Sequence, residues 1–442
     1  MSDASSVREK AAAAKRASRR LAAATAGARD LALRTAADRL EADAARLLEA
    51  NAQDVADARR AVAAGSLAQP LLDRLELDGA KVRAMAEGVR AVAALPDPAG
   101  RVLSRTLLDD GLVLEKVTCP LGVVAVVFES RPDAVPQIAA LALKSGNAAL
   151  LKGGRESARS TAAILRLFAE ALAGVPEIPA DALQGLSGRE EVEALLALEG
   201  DVDLVVPRGG NDLVRYVMAH TRIPVLGHAE GVCHVYVDRA ADPAMAVAIV
   251  LDAKTTYPAA CNAVETVLVH REIAPLFLPR LGESLRAAGV EVRACETTRL
   301  LAPAAGFGPA EPSDFGREFG ALVLALKTVD SLDEAIDHVN RFGSKHTDAI
   351  VTSERAAAER FLFEVDAAGV FWNASTRFAD GYRYGFGAEV GVSTSKLHAR
   401  GPVGLEGLVT TKYRLLGAGH VVATYSGKDA RPFRHERLFP PG

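Results

Sequence analysis

Short apolar runs alternate with helical segments from Leu121 onward, and this alternation limits the fold more than any other feature of the sequence. The runs that predict strands span residues 123–128, 148–151, 202–206, 232–237, 264–269, 349–352 and 369–372. Helices are predicted to begin near residues 132, 156, 189, 211, 275, 333 and 354. Strands that alternate with helices form a parallel sheet with helices on both faces, so the sequence predicts an α/β fold.

Two further segments precede this alternating region. Residues 5 to about 94 are rich in alanine and are predicted to form successive helices. The turn sequence Asp109-Asp110-Gly111 then separates two apolar runs, 102–108 and 112–118. An Asp-Gly turn between such runs is a strong signal for a β-hairpin, so a hairpin is expected between the helices and the α/β region.

Composition excludes several classes of function. The 442 residues suffice for two or three domains, and 52 basic against 56 acidic residues give a formal net charge of -4, without the basic excess that a polyanionic partner requires. The four cysteines show neither zinc-site spacing nor the density of a disulfide scaffold. No apolar run approaches the roughly 18 residues of a membrane span. We therefore expect a cytoplasmic protein that contacts neither nucleic acid nor membrane and binds no metal.

One cysteine occupies a position suited to nucleophilic catalysis. Cys261 follows Pro258 and two alanines and stands directly before the apolar run at 264–269. The proline restricts the backbone, and the alanines leave room for a carbonyl group to approach the sulfur. Thiolate is a strong nucleophile that forms covalent acyl intermediates. The alternative is an inert buried cysteine, which is the commoner case for this residue type.

Eight short motifs, spread over nearly the whole chain, resemble one family. They are FESRP at 128–132, ALKSGNA at 142–148, LKGG at 151–154, VPRGG at 206–210, GVCHVYVD at 231–238, GSKHT at 343–347, NASTRF at 373–378 and SKLHARGP at 395–402. In this order they resemble the gamma-glutamyl phosphate reductases, a branch of the aldehyde dehydrogenase superfamily. Many bacterial members approach the cysteine through an Arg-Pro-Gly type turn, where this chain has Tyr257-Pro258-Ala259.

The resemblance implies a reaction that passes through a cysteinyl thioester. Cys261 attacks the acyl phosphate of L-glutamate 5-phosphate, phosphate leaves, and the thioester accepts hydride from NADPH. The product is L-glutamate 5-semialdehyde, in the second step of proline biosynthesis from glutamate. The oxyanion needs hydrogen-bond donors, for which the amide of Cys261 and the side chains of Asn262 or Ser130 are candidates. For Asn262 the alternative is a turn residue that bonds its own backbone. The enzyme that supplies the substrate, glutamate 5-kinase, is a candidate partner.

The resemblance also implies the cofactor residues, because no G-x-G-x-x-G loop follows a predicted strand. Lys152, with Gly153 and Gly154, ends a predicted strand where the superfamily meets the adenosine ribose, and its charge favours the 2′-phosphate of NADPH. Gly209 and Gly210 open a helix beneath the pyrophosphate. Glu318 resembles the superfamily's ribose-binding glutamate.

The substrate carries a phosphate and a carboxylate, so its site requires cations. Seven basic residues inside the matched motifs are candidates, and we expect two or three of them to bind the substrate, since most basic residues lie on the surface. The candidates are Arg131, Lys144, Lys345, His346, Arg377, His398 and Arg400.

By resemblance the fold is aldehyde-dehydrogenase-like: a Rossmann-type nucleotide domain, a catalytic α/β domain and an oligomerisation β-hairpin. The implied boundaries are residues 1–100, 122–233 and 376–407 for the NADPH-binding domain, 234–375 for the catalytic domain, and 101–121 with 408–442 for the oligomerisation segment. A strand at about 408–426 is expected to pair with the hairpin. Unpaired strand edges on a monomer then predict a homodimer or homotetramer.

Three alternatives remain on the sequence alone. A hydrolytic semialdehyde dehydrogenase needs a glutamate that activates water in the segment resembling residues 228–231. That position falls on His228, with Glu230 two residues later. A thiol hydrolase would combine Cys261 with a histidine and Asn262, and a catalytically inactive scaffold would bind only a nucleotide.

Overall fold

The computed structural model describes residues 3–186, 188, 190–227 and 230–439. Within them the helices are α1 (Asp3–Ala23), α2 (Ala26–Ala42), α3 (Ala44–Ala63), α4 (Gln69–Leu75), α5 (Gly79–Ala94), α6 (Ala134–Lys144), α7 (Ala158–Ala173), α8 (Glu190–Leu196), α9 (Asn211–His220), α10 (Pro243–Thr255), α11 (Ala274–Ala287), α12 (Glu296–Leu301), α13 (Leu332–Phe342) and α14 (Arg355–Glu364). None of these helices is both long enough and apolar enough to cross a membrane.

The strands of the described residues, in chain order, are β1 (Val102–Asp109), β2 (Leu112–Pro120), β3 (Val123–Phe128), β4 (Ala148–Lys152), β5 (Leu183–Leu186), β6 (Leu204–Arg208), β7 (Cys233–Val237), β8 (Val264–His270), β9 (Glu291–Ala294), β10 (Gly308–Pro309), β11 (Val323–Val329), β12 (Thr347–Val351), β13 (Gly369–Trp372), β14 (Val392–Ser393), β15 (Gly401–Pro402), β16 (Val409–Leu416) and β17 (Glu436–Phe439).

These strands form two parallel sheets, which confirms the predicted α/β fold class. One sheet has the order β5-β4-β3-β6, and the other has the order β10-β9-β11-β8-β7-β12-β13. Their central strands, such as β3 and β8, are buried along their length because helices cover both faces, and β3 is wholly apolar. Strands β5, β9, β10 and β11 of these sheets are not predicted from the sequence. The domain boundaries given above stay a prediction.

A third sheet is antiparallel and has the order β16-β2-β1-β17. The predicted hairpin is confirmed: β1 pairs with β2, and Gly111 in the turn has a φ of 73°, a backbone conformation that favours glycine. The expected returning strand at 408–426 is wrong in its length. It ends at Leu416, just before Gly417 and Gly419, and a second returning strand, β17, pairs with the other side of the hairpin.

The edges of the two parallel sheets determine where a site can form. In the β5-β4-β3-β6 sheet the chain moves outward from β3 to β5 and then returns to place β6 on the other side of β3. Ligands of open parallel sheets bind at the carboxyl ends of strands where the order reverses, which here is between β3 and β6. From the other sheet, the segments that precede β8 and β11 face this crevice.

Candidate active site

A cavity of about 440 Å³ lies at this crevice and contains the cysteine singled out from the sequence. The segments that follow β3 and β6 line one side, and the turn before β8 and the loop before β11 line another. Helix α4 and the segment 377–392 complete the wall. The cavity therefore receives residues from both parallel sheets.

Backbone contacts hold Cys261 in a tight turn. The amide of Ala260 donates to the carbonyl of Tyr257 (3.1 Å), and the amide of Ala263 donates to the carbonyl of Ala260 (2.9 Å). Gly231 packs directly against this turn, since a Cβ atom at residue 231 would lie 2.1 Å from the carbonyl oxygen of Cys261. Only glycine fits there without moving the turn. The cysteine is half-buried and borders the cavity.

The candidate oxyanion donors differ in their availability. Among the described residues no acceptor is bonded to the amide of Cys261, so that N–H is available to a ligand. Asn262 is buried and its Nδ2 donates to the carbonyl of Ala379 (2.9 Å), not to its own backbone. This bond fixes the amide group beside the cysteine. Ser130 already donates its hydroxyl to Glu156, which leaves it unsuited to bind an oxyanion in this arrangement.

Four arginines line the cavity: Arg74, Arg131, Arg208 and Arg377. In the part of the chain that the structure describes, no carboxylate forms an ion pair with any of them, and their side chains donate no hydrogen bond. Nη1 of Arg208 and Nε of Arg377 are buried without a partner. Burial lowers the pKa of both guanidinium groups, and a negative charge on Cys261 would raise it. Half-buried guanidinium groups without a carboxylate partner are costly, so this cluster indicates an anionic ligand.

The carboxylates of the cavity are all engaged by other groups. Glu129 accepts from the amide of Gly210 (2.9 Å), and Glu318 accepts from Nδ2 of Asn211 (3.2 Å). Asp380 accepts from the amide of Tyr382 (2.9 Å), and Glu389 accepts from the amide of Gly381 (2.9 Å). These bonds orient the carboxylates instead of neutralising the arginines.

Two of the seven predicted substrate residues, Arg131 and Arg377, line this cavity, whereas the other five lie elsewhere. Lys144 is buried against Asp30 (2.5 Å) and donates to the carbonyl of Ala93 (2.8 Å), so it holds the helices together. His398 contacts the carbonyl of Gly407 (2.7 Å). Sharing a motif does not place a side chain at the cavity, and the expectation that two or three of the seven bind the substrate stays a prediction.

Of the remaining three predicted substrate residues, Lys345 and Arg400 lie beside Asp366, and His346 directly precedes β12. Lys345 and Arg400 form ion pairs with Asp366 (3.2 and 2.9 Å), and Lys396 with these two residues holds the pKa of that carboxyl well below its usual range. His346 is buried, with Nδ1 2.9 Å from the hydroxyl of Thr347. The charges of Lys345 and Arg400 are used within the fold.

Sequence reasoning missed two of the cavity arginines. Arg208 lies inside the VPRGG motif, directly after the buried part of β6, so its strand-end position was a usable signal. Arg74 comes from α4, far from any motif, and no local pattern distinguishes it from a surface arginine.

The predicted cofactor residues lie at the same carboxyl edge of the first sheet. Lys152 ends β4, is 8 % exposed, and makes no ion pair within the described chain. Its Nζ donates only to the carbonyl of Gly153 (2.5 Å), and burial lowers its pKa. Packing against Phe128 and Glu156 accounts for Gly153 and Gly154 as glycines. A buried ammonium group without a carboxylate partner suits a phosphate ligand.

The other predicted cofactor residues border the cysteine cavity. Gly209 and Gly210 lie between β6 and α9, and Glu318 lies in the loop before β11. The amide of Gly210 is occupied by Glu129, so it is not available to a pyrophosphate in this arrangement. Glu318 and Cys261 line one cavity, as the implied ribose-binding role requires.

The segment 228–231 supplies no water-activating base to the described wall of the cavity. Glu230 is ion-paired with Arg215 and does not line the cavity, and none of the described lining residues is a histidine. His228 lies outside the residues that the structure describes. Within the described chain, no cluster of three metal-binding side chains occurs either.

Comparisons with known proteins agree with this architecture. The model of the aldehyde dehydrogenase family matches residues 1–302. The chain is 58% identical over 389 residues to a gamma-glutamyl phosphate reductase of Synechococcus sp. (strain JA-3-3Ab), covering 88% of this chain and 85% of the relative. It is 47% identical over 428 residues to the Methanosarcina mazei protein of the same name, covering 96% of each. The crystal structure of the Thermotoga maritima gamma-glutamyl phosphate reductase is 40% identical, with a TM-score of 0.90 over 94% of this chain and 99% of that one.

Proposed function

Since the chain belongs to the gamma-glutamyl phosphate reductases of the aldehyde dehydrogenase family, we propose that it reduces L-glutamate 5-phosphate to L-glutamate 5-semialdehyde with NADPH through a thioester on Cys261. The observation that carries the proposal is the set of four unpaired arginines around one cysteine. The substrate matches this set, because its acyl phosphate and α-carboxylate supply anionic groups at both ends. The cavity carboxylates supply partners for its amino group.

We assign each chemical role to a group beside Cys261. The sulfur attacks the acyl carbon, and the oxyanion that forms accepts a hydrogen bond from the amide of Cys261, with Nδ2 of Asn262 as the second donor. The bond from carbon to the phosphate oxygen then breaks, and phosphate departs with the electron pair. Arg208 and Arg377 neutralise the departing charge, because both lie within electrostatic reach of the sulfur.

The residues present fit a nicotinamide cofactor with a 2′-phosphate. Lys152 would hold that phosphate, and Glu318 would bind the ribose on the Cys261 side. When bound, the reduced nicotinamide supplies the hydride that converts the thioester to the aldehyde and releases the Cys261 sulfur. Glu129 must turn away from the amide of Gly210 if that N–H is to meet the pyrophosphate.

Cofactor preference gives the direct test of this function. With freshly made glutamyl phosphate, nicotinamide absorbance should fall with NADPH, at a catalytic efficiency at least about tenfold above that with NADH, equivalent to about 1.4 kcal/mol. Lys152→Ala should remove most of this preference while leaving the efficiency with NADH nearly unchanged. Equal efficiencies with the two cofactors in the unaltered protein would show that Lys152 does not read the 2′-phosphate, and absence of any reduction would refute the function.

The antiparallel sheet supports a homo-oligomer. Strand β16 is exposed along nearly its whole length, and Tyr413, Leu415 and Leu416 present apolar side chains there. Open strand edges with exposed apolar residues favour pairing with a second copy.

We place the protein in the cytoplasm, where a kinase would supply the acyl phosphate.

A further inference from the structure

A buried ion pair joins the three segments that surround the nucleophile. Nζ of Lys254 lies 2.6 Å from Oε2 of Glu265, and both side chains are 0% exposed. Lys254 belongs to the last turn of α10, which leads into the Cys261 turn, and Glu265 belongs to β8, which leaves it. Helix, turn and strand are therefore tied together behind the sulfur.

The same carboxylate also holds the loop before β11. Oε1 of Glu265 accepts from the amide of Gly320 (3.2 Å), and the amide of Phe319 is a further donor. These two residues directly follow Glu318, whose carboxylate lines the cavity. One side chain thus connects the nucleophile's strand to the backbone that carries Glu318.

Burying this pair of charges costs free energy, and apolar side chains would serve the strand as well. Burial raises the pKa of Glu265 to about 7 and lowers that of Lys254, and each charge opposes the shift of the other. A buried ion pair often contributes less stability than apolar side chains of similar volume, although removing one partner alone is strongly destabilising. We therefore attribute the ion pair to the segments that it holds in position, and not to the stability that it adds to the fold.

We propose that Lys254 and Glu265 act as positioning residues that fix the Glu318 loop at a set distance from Cys261. The inference rests on the proposed function, because Glu318 matters to the reaction only if it binds the cofactor. Fixing both groups to one carboxylate would hold Glu318 at the distance from Cys261 at which it could bind the ribose of the cofactor. Neither Lys254 nor Glu265 needs to contact substrate or cofactor.

Exchanging the two residues tests whether the ion pair positions the Glu318 loop or only stabilises the fold. The double variant Lys254→Glu with Glu265→Lys keeps opposite buried charges but removes the acceptor that faces the amides of Phe319 and Gly320. We expect it to fold and to bind NADPH about tenfold or more weakly by fluorescence titration, as for loss of a charged hydrogen bond. The rate at which iodoacetamide alkylates Cys261 without cofactor should change much less. The neutral double variant Lys254→Met with Glu265→Leu, which also lacks the acceptor, provides the same test if the exchange does not fold.

A control removes another ion pair, formed by the buried Arg29 and the half-buried Asp97 (2.5 Å), neither of which lines the cavity. Arg29→Met should lower thermal stability without changing the NADPH dissociation constant. Exchanged or neutral variants that reduce glutamyl phosphate and bind NADPH within about twofold of the unaltered protein, a difference below 0.5 kcal/mol, would overturn the inference alone. An unaltered protein that binds no NADPH would overturn the proposed function and this inference with it.

Discussion

Replacing Cys261 with alanine is expected to lower the rate of glutamyl phosphate reduction by roughly 10⁴-fold or more, as for other nucleophiles that act within a catalytic unit. The sulfur forms the covalent bond, and no other described thiol can replace it. Cys233 is buried behind the turn, where it donates to the carbonyl of Cys261 (3.3 Å), and burial raises the pKa of its thiol well above the ordinary value. The measurement is the steady-state rate of NADPH oxidation.

The alanine variant should still fold and bind NADPH, because a half-buried loop thiol contributes little packing. Cys295→Ala is the matched control: its sulfur contacts Thr298 (3.1 Å), outside the cavity, and its loss should leave activity unchanged. In the unaltered protein, iodoacetamide should label Cys261 before the other three cysteines, and glutamyl phosphate should slow that labelling. Full activity of the Cys261 variant, or a Cys261 that resists labelling, would end the assignment.

Shortening Arg208 or Arg377 should weaken the binding of glutamyl phosphate by about a hundredfold, since each hydrogen bond to a charged group contributes about 1.5–3 kcal/mol. We expect Arg208→Gln and Arg377→Ala to raise the KM for glutamyl phosphate, with little change in the dissociation constant of NADPH. Arg377→Lys should recover part of the loss, because it keeps the charge but not the planar pair of donors. Initial rates over a range of substrate concentrations measure both effects.

A surface arginine provides the comparison. Arg360 is ion-paired with Asp333 and Glu364 on the outside of the protein, so Arg360→Ala should leave the KM for glutamyl phosphate unchanged. If Arg208→Gln and Arg377→Ala also leave it unchanged, the unpaired arginines do not bind the substrate's anionic groups.

Local patterns predicted the fold class and the turn that holds Cys261 directly before a buried strand. Each strand is buried by helices that are close to it in the sequence, so the alternation of apolar runs and helices is visible locally. The Asp-Gly turn likewise favours a hairpin through its own backbone conformation. Likewise, the turn around Cys261 is made by residues 257–263. The strands β9 and β17 are short, and β17 is exposed, so neither shows a clear apolar pattern.

The walls of the cavity depend on contacts between distant segments, which the sequence does not show. Lys144 and Arg377 are both basic residues inside matched motifs, yet Lys144 meets Asp30, 114 residues away, and loses its availability. Arg377 meets no carboxylate in the described chain and stacks over Tyr257 at 5.9 Å. Contacts between distant segments decide which basic side chain stays unpaired. Such contacts also place Arg74, on α4, at the cavity.

Whether residues 228–231 supply a base that activates water decides whether water or phosphate accepts the acyl group from Cys261. Glu230, its nearest described carboxylate, is committed to Arg215. If no base activates water at the thioester, phosphate held by the cavity arginines is the competent acceptor when the reaction runs in reverse. The enzyme would then exchange the acyl group between phosphate and Cys261 and would not hydrolyse it.

Oxidation of glutamate semialdehyde with and without inorganic phosphate tests this account most directly. With NADP⁺, NADPH should form only when phosphate is present, and hydroxylamine should trap the acyl phosphate as a hydroxamate. His228→Ala should not slow any phosphate-free reaction, whereas loss of a true general base would slow it by about a hundredfold or more. NADPH formation at an undiminished rate without phosphate, with free glutamate as the product, would instead identify a hydrolytic dehydrogenase.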